Sequence, residues 1–175
     1  LSRRALACFC LLLLTAAMSS EPALQIELAE QDWTRNGELV ESPSVLGTED
    51  DSLVVLAFDA PGTRWSTSFA TEGPDTWRLA LDWELGPAGL LLEIMIDGEA
   101  LPPLRDVWRP TARRQRADLG PRWLGAGQHQ LEFIAREATA GELLGDPELS
   151  AHRAGADAPA HHGTVAVQRL ILQRP

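Results

Sequence analysis

Lysine and tyrosine are absent, asparagine occurs once, at Asn36, and the only cysteines, Cys8 and Cys10, stand close to the start of the chain. All 15 basic residues are arginine, a bias of the kind GC-rich coding produces, so the missing lysine and tyrosine exclude little by themselves. The cysteine distribution excludes more. Arg3 and Arg4 precede an apolar run from Ala5 to Ala17 and then small residues, the layout of a secretory signal peptide. The run is 13 residues long, short of the ~20 that a bilayer span needs, and nothing later approaches it. The apolar run follows Cys8 instead of preceding it, the wrong order for a lipoprotein cleavage box. With residues 1–19 removed, the exported product starts near Ser20 and has no cysteine, which excludes disulfides and thiol catalysis. Its expected location is the periplasm, the cell envelope or the outside.

Positive charge is also scarce. The chain carries 25 acidic residues and a net charge of −10, and loss of Arg3 and Arg4 leaves 13 basic residues and −12. Nucleic acid, a polyanion, is therefore excluded as a partner class. No G-x-S-x-G, no H-E-x-x-H and no phosphate-cradling glycine loop occurs, so the usual hydrolase and nucleotide chemistries have no anchor and the chain reads as non-catalytic.

What the sequence does contain is a period of two. Leu24, Ile26 and Leu28 alternate with Gln25 and Glu27. "LVVLAFDA" (53–60) is a short apolar strand, and "RWSTSFA" puts Trp65, Thr67 and Phe69 on one side. "TWRLALDWEL" sends Trp77, Leu79, Leu81, Trp83 and Leu85 inward and Arg78, Asp82 and Glu84 outward, one face in a core and one in water. A strand from Leu90 to Ile96 ends at Asp97-Gly98, a dipeptide that accepts the positive φ of a tight hairpin. "RQRADLG" is another strand, and after Gly127 a further one sets Leu131, Phe133 and Ala135 against Gln130, Glu132 and Arg136. "TVAVQRLILQ" (164–173) closes the chain, and its apolar phase shifts between Val167 and Leu170, which predicts a bulge or a change of burial. About eight or nine such strands with no long helix predict an all-β antiparallel sandwich over one domain, residues 20–175. The stretch 138–162, rich in Ala, Gly, Pro and His, is expected to be a long loop.

Four stretches together resemble a known family: "LQIELAEQDW" as an opening strand, "WRLALDWELGPAGLLLEIMIDGEAL" as paired strands, "DLGPRWLGAGQHQLEFIA" with an L-x-x-G-x-H-x-L pattern, and the closing "GTVAVQRLILQ". The family is the galactose-binding-like jelly roll of carbohydrate-binding modules of the family 6 and 35 type. The resemblance covers most of the chain past the leader and implies carbohydrate as ligand class, held by aromatic rings in loops at one end or across a face. It also implies a structural calcium site joining first and last strands, for which Glu27, Glu30 and the amide of Gln168 are the available oxygens. Gln168 and Arg169 stand where such modules often carry an aspartate.

Three tryptophans, Trp33, Trp108 and Trp123, fall in or beside predicted loops and are candidates for a sugar-stacking platform; Trp65, Trp77 and Trp83 fall on inward phases and read as core. The cluster "RPTARRQR" brings Arg109, Arg113, Arg114 and Arg116 together. It either grips an acidic glycan or a partner's carboxylates, or it is a charged edge that discourages strand addition. His129 reads as a polar rim residue. His152, His161 and His162 share the long loop with Asp146, Glu148 and Asp157, but their spacing matches no closed metal site. The leading reading is an exported carbohydrate-binding module without catalysis. A structural or protein-interaction domain of the cell envelope is the alternative, and a small glycan hydrolase using carboxylates such as Asp82, Glu84 or Glu93 is a third.

Overall fold

The computed structural model describes residues 24–41, 43–48, 51–86, 91–107, 111–136 and 163–175. The expected signal peptide (1–19) and long loop (138–162) lie outside the described residues. The chain from Leu24 to Val40 folds into β1 (Leu24–Glu27), a 3-10 turn (Leu28–Glu30), β2 (Trp33–Arg35) and β3 (Glu38–Val40). There follow β4 (Ser44–Leu46), β5 (Leu53–Phe58), β6 (Arg64–Thr71), β7 (Asp75–Leu85) and β8 (Leu91–Ile96). The remainder is β9 (Glu99–Asp106), β10 (Arg113–Leu124), β11 (Gly127–Arg136) and β12 (Gly163–Gln173).

These strands pair antiparallel in two six-stranded sheets, one ordered β10-β7-β12-β5-β4 with β1 added beside β12, the other β3-β2-β6-β11-β8-β9. The expected all-β sandwich forms, with twelve strands among the described residues instead of about eight or nine. Three of the additional strands, β2, β3 and β4, are three residues each, too short to show a period. The fourth, β9, holds Pro102 and Pro103, which remove ladder donors; β9 accommodates them at the edge of its sheet.

Alternation on β7 buries Trp77, Leu79, Leu81, Trp83 and Leu85, as its sequence predicts. They join Leu131, Phe133 and Ala135 of β11 and Leu92, Ile94 and Ile96 of β8 in one core. Tight turns close the hairpins where the backbone must adopt positive φ: Asn36 (52°) and Gly37 (90°) between β2 and β3, Asp97 (52°) and Gly98 (77°) between β8 and β9, both of the pattern that suits right-twisted strands.

The phase shift in β12 is a bulge. Val167 pairs with Trp83 and Arg169 with Asp82, leaving Gln168 as the extra residue. One inserted residue lets Val167 and Leu170 both face inward, and both are fully buried.

Candidate functional site

β10 carries two of the expected ligand contacts at its opposite ends. Arg113 begins the strand, exposed and opposite Leu85, while Trp123 is opposite Thr76 and 66% exposed. Ten steps at ~3.3 Å per residue put them ~33 Å apart along the strand, too far for one small site. Trp108 and Arg109 lie outside the described residues.

Trp33 is a correction. It is completely buried, its ring lying edge-on to Trp65 (centroids 6.3 Å, 71°) and against Phe133 (6.1 Å), and its indole N–H donates to the Leu28 carbonyl at 2.9 Å. It is a core side chain, because β2 pairs with β6 and places Trp33 opposite Thr67 inside the second sheet. Trp65, Trp77 and Trp83 are buried as expected.

Trp123 owes its exposure to a second irregularity. Gln115 and Ala117 sit opposite the inward residues Trp83 and Leu81, but the register shifts between Asp118 and Gly120, and Trp123 then pairs with outward Thr76. Unbroken alternation would have put Trp123 on the same side as Ala117. Gly120 takes φ 85°, and its N–H donates to Asp118 Oδ1 at 2.9 Å; the left-handed conformation is the one glycine adopts without steric cost.

The outward face of the first sheet is a lattice of guanidinium–carboxylate pairs. Arg116 grips Asp82 bidentately (2.7 and 2.9 Å), Arg78 pairs with Asp118, and Arg114 meets Asp51 (2.5 Å to both oxygens) and Glu84 (3.2 Å). The hydrogen bond from Arg114 holds the Asp51 carboxyl below the usual aspartate range, and the Arg78 hydrogen bond does the same to Asp118. In return Asp51, Asp118 and Asp82 raise Arg114, Arg78 and Arg116. Arg114 and Arg116 of the arginine cluster are thus paired with carboxylates of β7 and with Asp51, and β10, which carries them and Arg113, is an edge strand, where charge discourages strand addition.

The calcium-site residues do not come together as cation ligands. Glu27 faces the Arg169 guanidinium at 3.3 Å, and Gln168 turns its amide nitrogen toward Asp51 Oδ1 at 3.0 Å. Glu30 sits on the 3-10 turn. A guanidinium beside Glu27 and an N–H donor aimed at a carboxylate are the wrong set for a hard cation that takes oxygen ligands, and no group of three or more His, Cys, Asp or Glu suited to a metal occurs among the described residues.

His129 is buried, not a rim residue: its position on β11 shares the inward parity of Leu131 and Phe133. Nδ1 lies 2.7 Å from Asp97 Oδ2, and Nε2 is 3.1 Å from Thr71 Oγ1 and 3.0 Å from the Gly125 carbonyl. The order Thr, His, Asp is that of a nucleophile relay. Thr71, however, is buried and donates its hydroxyl to Gly125 O at 2.5 Å, so the network ties the β10–β11 turn to the β8–β9 turn and presents no nucleophile.

A cavity of about 240 Å³ opens beside the β12 bulge, lined by Leu53, Asp82, Trp83, Arg114, Gln115 and Gln168.

No family model matches the sequence, and no curated protein is similar to it. Solved structures are. A family 35 carbohydrate binding module from an environmental isolate superposes with a TM-score of 0.54 at 10% identity, over 86% of this chain and 92% of that one. The fold is that of a carbohydrate-binding-module-like β-sandwich. A Paenibacillus xanthan lyase matches with a TM-score of 0.63 at 10% identity, over 86% of this chain but 13% of the lyase, and a Podospora anserina GH26-CBM35 β-(1,4)-mannanase with 0.51 at 10%, over 87% of this chain and 28% of the enzyme. This chain corresponds to a fraction of those enzymes' length, and at such identity the likeness is one of fold. On the carbohydrate-binding-module-like sandwich described above, the outward face of the first sheet combines an exposed indole with fixed hydrogen-bonding groups.

Proposed function

We propose that this chain is an exported, non-catalytic carbohydrate-binding module that holds a neutral glycan against the outward face of the β10-β7-β12 sheet, with Trp123 as stacking ring. The observation that carries the reading is Trp123 itself: it is 66% exposed, while the other four tryptophans among the described residues are buried. Burying so large a ring is favourable, so one held outward by a bulge favours a ligand surface. A ring offers an apolar plane to sugar C–H groups, and Thr76, Arg78 and Asp118 nearby on the same face supply donors and acceptors for hydroxyls. A neutral ligand is favoured because the arginines of this face are already paired with carboxylates and the chain is acidic.

Support for a non-catalytic role comes from the carboxylates. Asp82, Glu84 and Glu93 are engaged by Arg116, Arg114 and Arg136 respectively, whereas glycoside hydrolysis needs a pair that is free to act as acid and as base or nucleophile. Export rests on the Arg3-to-Ala17 pattern. Expression of the full chain in a Gram-negative host followed by N-terminal sequencing tests it: a periplasmic product starting near Ser20 supports export, and a cytoplasmic product retaining Arg3 and Arg4 overturns it.

Polysaccharide pull-down and a glycan array test the binding reading. Trp123→Ala is expected to weaken binding about 30-fold or more, the loss typical of an aromatic anchor; normal binding by that variant overturns the platform. One observation favours a second reading, an envelope protein-interaction domain: Leu39, Val45 and Leu46 are exposed at 65%, 47% and 54% on the edge strands β3 and β4. Charged replacements at those three positions that abolish recruitment to envelope fractions, with no glycan bound, would favour it.

A further inference from the structure

We infer that the Asn36-Gly37 turn is a site of self-modification: Asn36 loses its side-chain amide through a cyclic imide formed with the Gly37 nitrogen, and becomes aspartate or isoaspartate. The inference is independent of the carbohydrate reading, because the turn joins β2 and β3 at the edge of the second sheet, whereas Trp123 belongs to the first.

Asn36 is the chain's single asparagine, and glycine follows it. Without a Cβ, glycine leaves the approach of its nitrogen to the preceding side chain unhindered. Ring closure has requirements at three atoms, and the structure meets each. The electrophile is the Asn36 side-chain carbonyl, whose Oδ1 accepts the Arg64 backbone N–H at 2.9 Å. A fixed donor on that oxygen polarises the carbonyl and stabilises the oxyanion that forms on attack. The nucleophile is the Gly37 nitrogen, which donates no hydrogen bond among the described residues, and a Cβ built on Gly37 meets no atom within 4 Å. The leaving group is the Asn36 side-chain nitrogen, also unbonded among the described residues, on a residue exposed to water.

The steps balance with water as the only co-reactant. Hydroxide takes the Gly37 N–H proton, the nitrogen attacks Cγ, and the new C–N bond closes a succinimide as the side-chain nitrogen departs as ammonia. Water then opens the imide. Cleavage between nitrogen and Cγ restores the ordinary main chain with aspartate at position 36. Cleavage between nitrogen and the main-chain carbonyl leaves the chain running through Cγ, an isoaspartate. The net change is amide plus water to carboxylate plus ammonium.

The turn between β8 and β9 is the internal comparison. Asp97 takes the same φ as Asn36, 52°, with glycine after it, but its carboxylate accepts the Gln130 N–H at 2.8 Å on Oδ1 and faces His129 Nδ1 at 2.7 Å on Oδ2. A carboxylate with both oxygens engaged is a poor electrophile, so Asn36 is the reactive position of the two. Asp97 also shows that aspartate fits such a turn, as the first product requires. Isoaspartate does not fit. Its additional main-chain carbon breaks the two-residue turn that sets Arg35 opposite Glu38 and Trp33 opposite Val40. β3 ends its sheet beside β2, so the isoaspartate form releases this edge strand and takes Val40 from the core it packs against.

Incubation of the whole folded chain at physiological temperature and a series of pH values from neutral upward, followed by peptide mapping with mass spectrometry, tests this. The fragment holding Asn36 is expected to gain the mass of an amide-to-acid exchange at a rate proportional to hydroxide. It should separate into two forms, one of them labelled by an isoaspartyl methyltransferase. Asn36→Gly, which accepts the positive φ, abolishes the gain. No gain at Asn36 in the folded chain overturns the inference, whether or not the urea-unfolded chain converts. A gain without isoaspartate overturns the imide route in favour of direct hydrolysis. Urea midpoints then separate the products: Asn36→Asp keeps the midpoint of the parent chain, and the purified isoaspartate form unfolds at a lower one. Equal midpoints for the two would overturn the release of β3.

Discussion

Asp51 and Arg114, 63 residues apart in the chain, meet at 2.5 Å through both carboxylate oxygens. β7 and β12 lie between β10, which carries Arg114, and β5, which Asp51 precedes, so the pair spans the sheet. Glu84 and Gln168 complete the contact from those two intervening strands. Arg114 and Gln168 of this cluster also line the cavity beside the β12 bulge.

That pair has a defined pH signature. Arg114 lowers the folded-state pKa of Asp51 from its ordinary 3.8, so its stabilisation is full above that value and is lost as pH falls through the lowered one. Asp118, lowered by Arg78, behaves likewise. Asp51→Asn is expected to lower the melting temperature at neutral pH, with the gap from the parent chain closing as pH drops below about 3.8. The effect is small, since both side chains are half exposed, and shrinks in high salt. A gap that stays constant from neutral pH down to about pH 2 would show that the pair carries no linkage.

Trp33 and Trp123 looked alike in sequence and part company in energetics. Trp33→Ala removes a fully buried ring in contact with Trp65 and Phe133 and is expected to cost about 3–5 kcal/mol in urea denaturation. Trp123→Ala removes an exposed ring and should change stability by no more than about 0.5 kcal/mol. Equal losses would mean that Trp123 packs in solution.

What was legible and what was not follows from the length scale of the signal. β7 announces itself over eleven residues of alternation, and the out-of-phase Val167 and Leu170 announce the β12 bulge. Trp33 was misplaced because β2 is three residues long; the Asn36-Gly37 pair after it is a hairpin signal that would have identified β2 and β3. His129 carried the parity of the core face, and its polarity masked that. The Leu119-Gly120 irregularity has no period to betray it, since Ala117 and Leu119 are both buried as in a regular strand. The ion pairs and the cavity depend on strands distant in sequence, so no local pattern could show them.

His129 tests whether its network holds the turn beside Trp123. His129→Ala vacates buried space against Phe69 (ring centres 5.3 Å) and removes the contact to Asp97, with an expected loss of about 2–3 kcal/mol. His129→Leu refills most of the space, and Thr71 still has the Gly125 carbonyl as acceptor, so its loss is expected to stay near 1 kcal/mol. Equal losses in the two variants would assign the effect to the Asp97 contact instead of to packing.

Gly120 tests the irregularity that turns Trp123 outward. No atom lies within 4 Å of a Cβ built there, so a side chain meets open space and the cost comes only from its φ of 85°. Gly120→Ala is therefore expected to lose about 1–2 kcal/mol, read from urea midpoints. Gly120→Val, β-branched and stiffer, should lose more and press β10 toward regular register. In regular register the parity of Trp123 reverses, so its indole moves from solvent toward the core. Acrylamide quenching of tryptophan fluorescence reads that directly: quenching falls in Gly120→Val, and glycan binding falls with it. Quenching unchanged alongside a lost midpoint would show that the strand tolerates the strain in place, and that contacts other than the Gly120 conformation hold Trp123 outward.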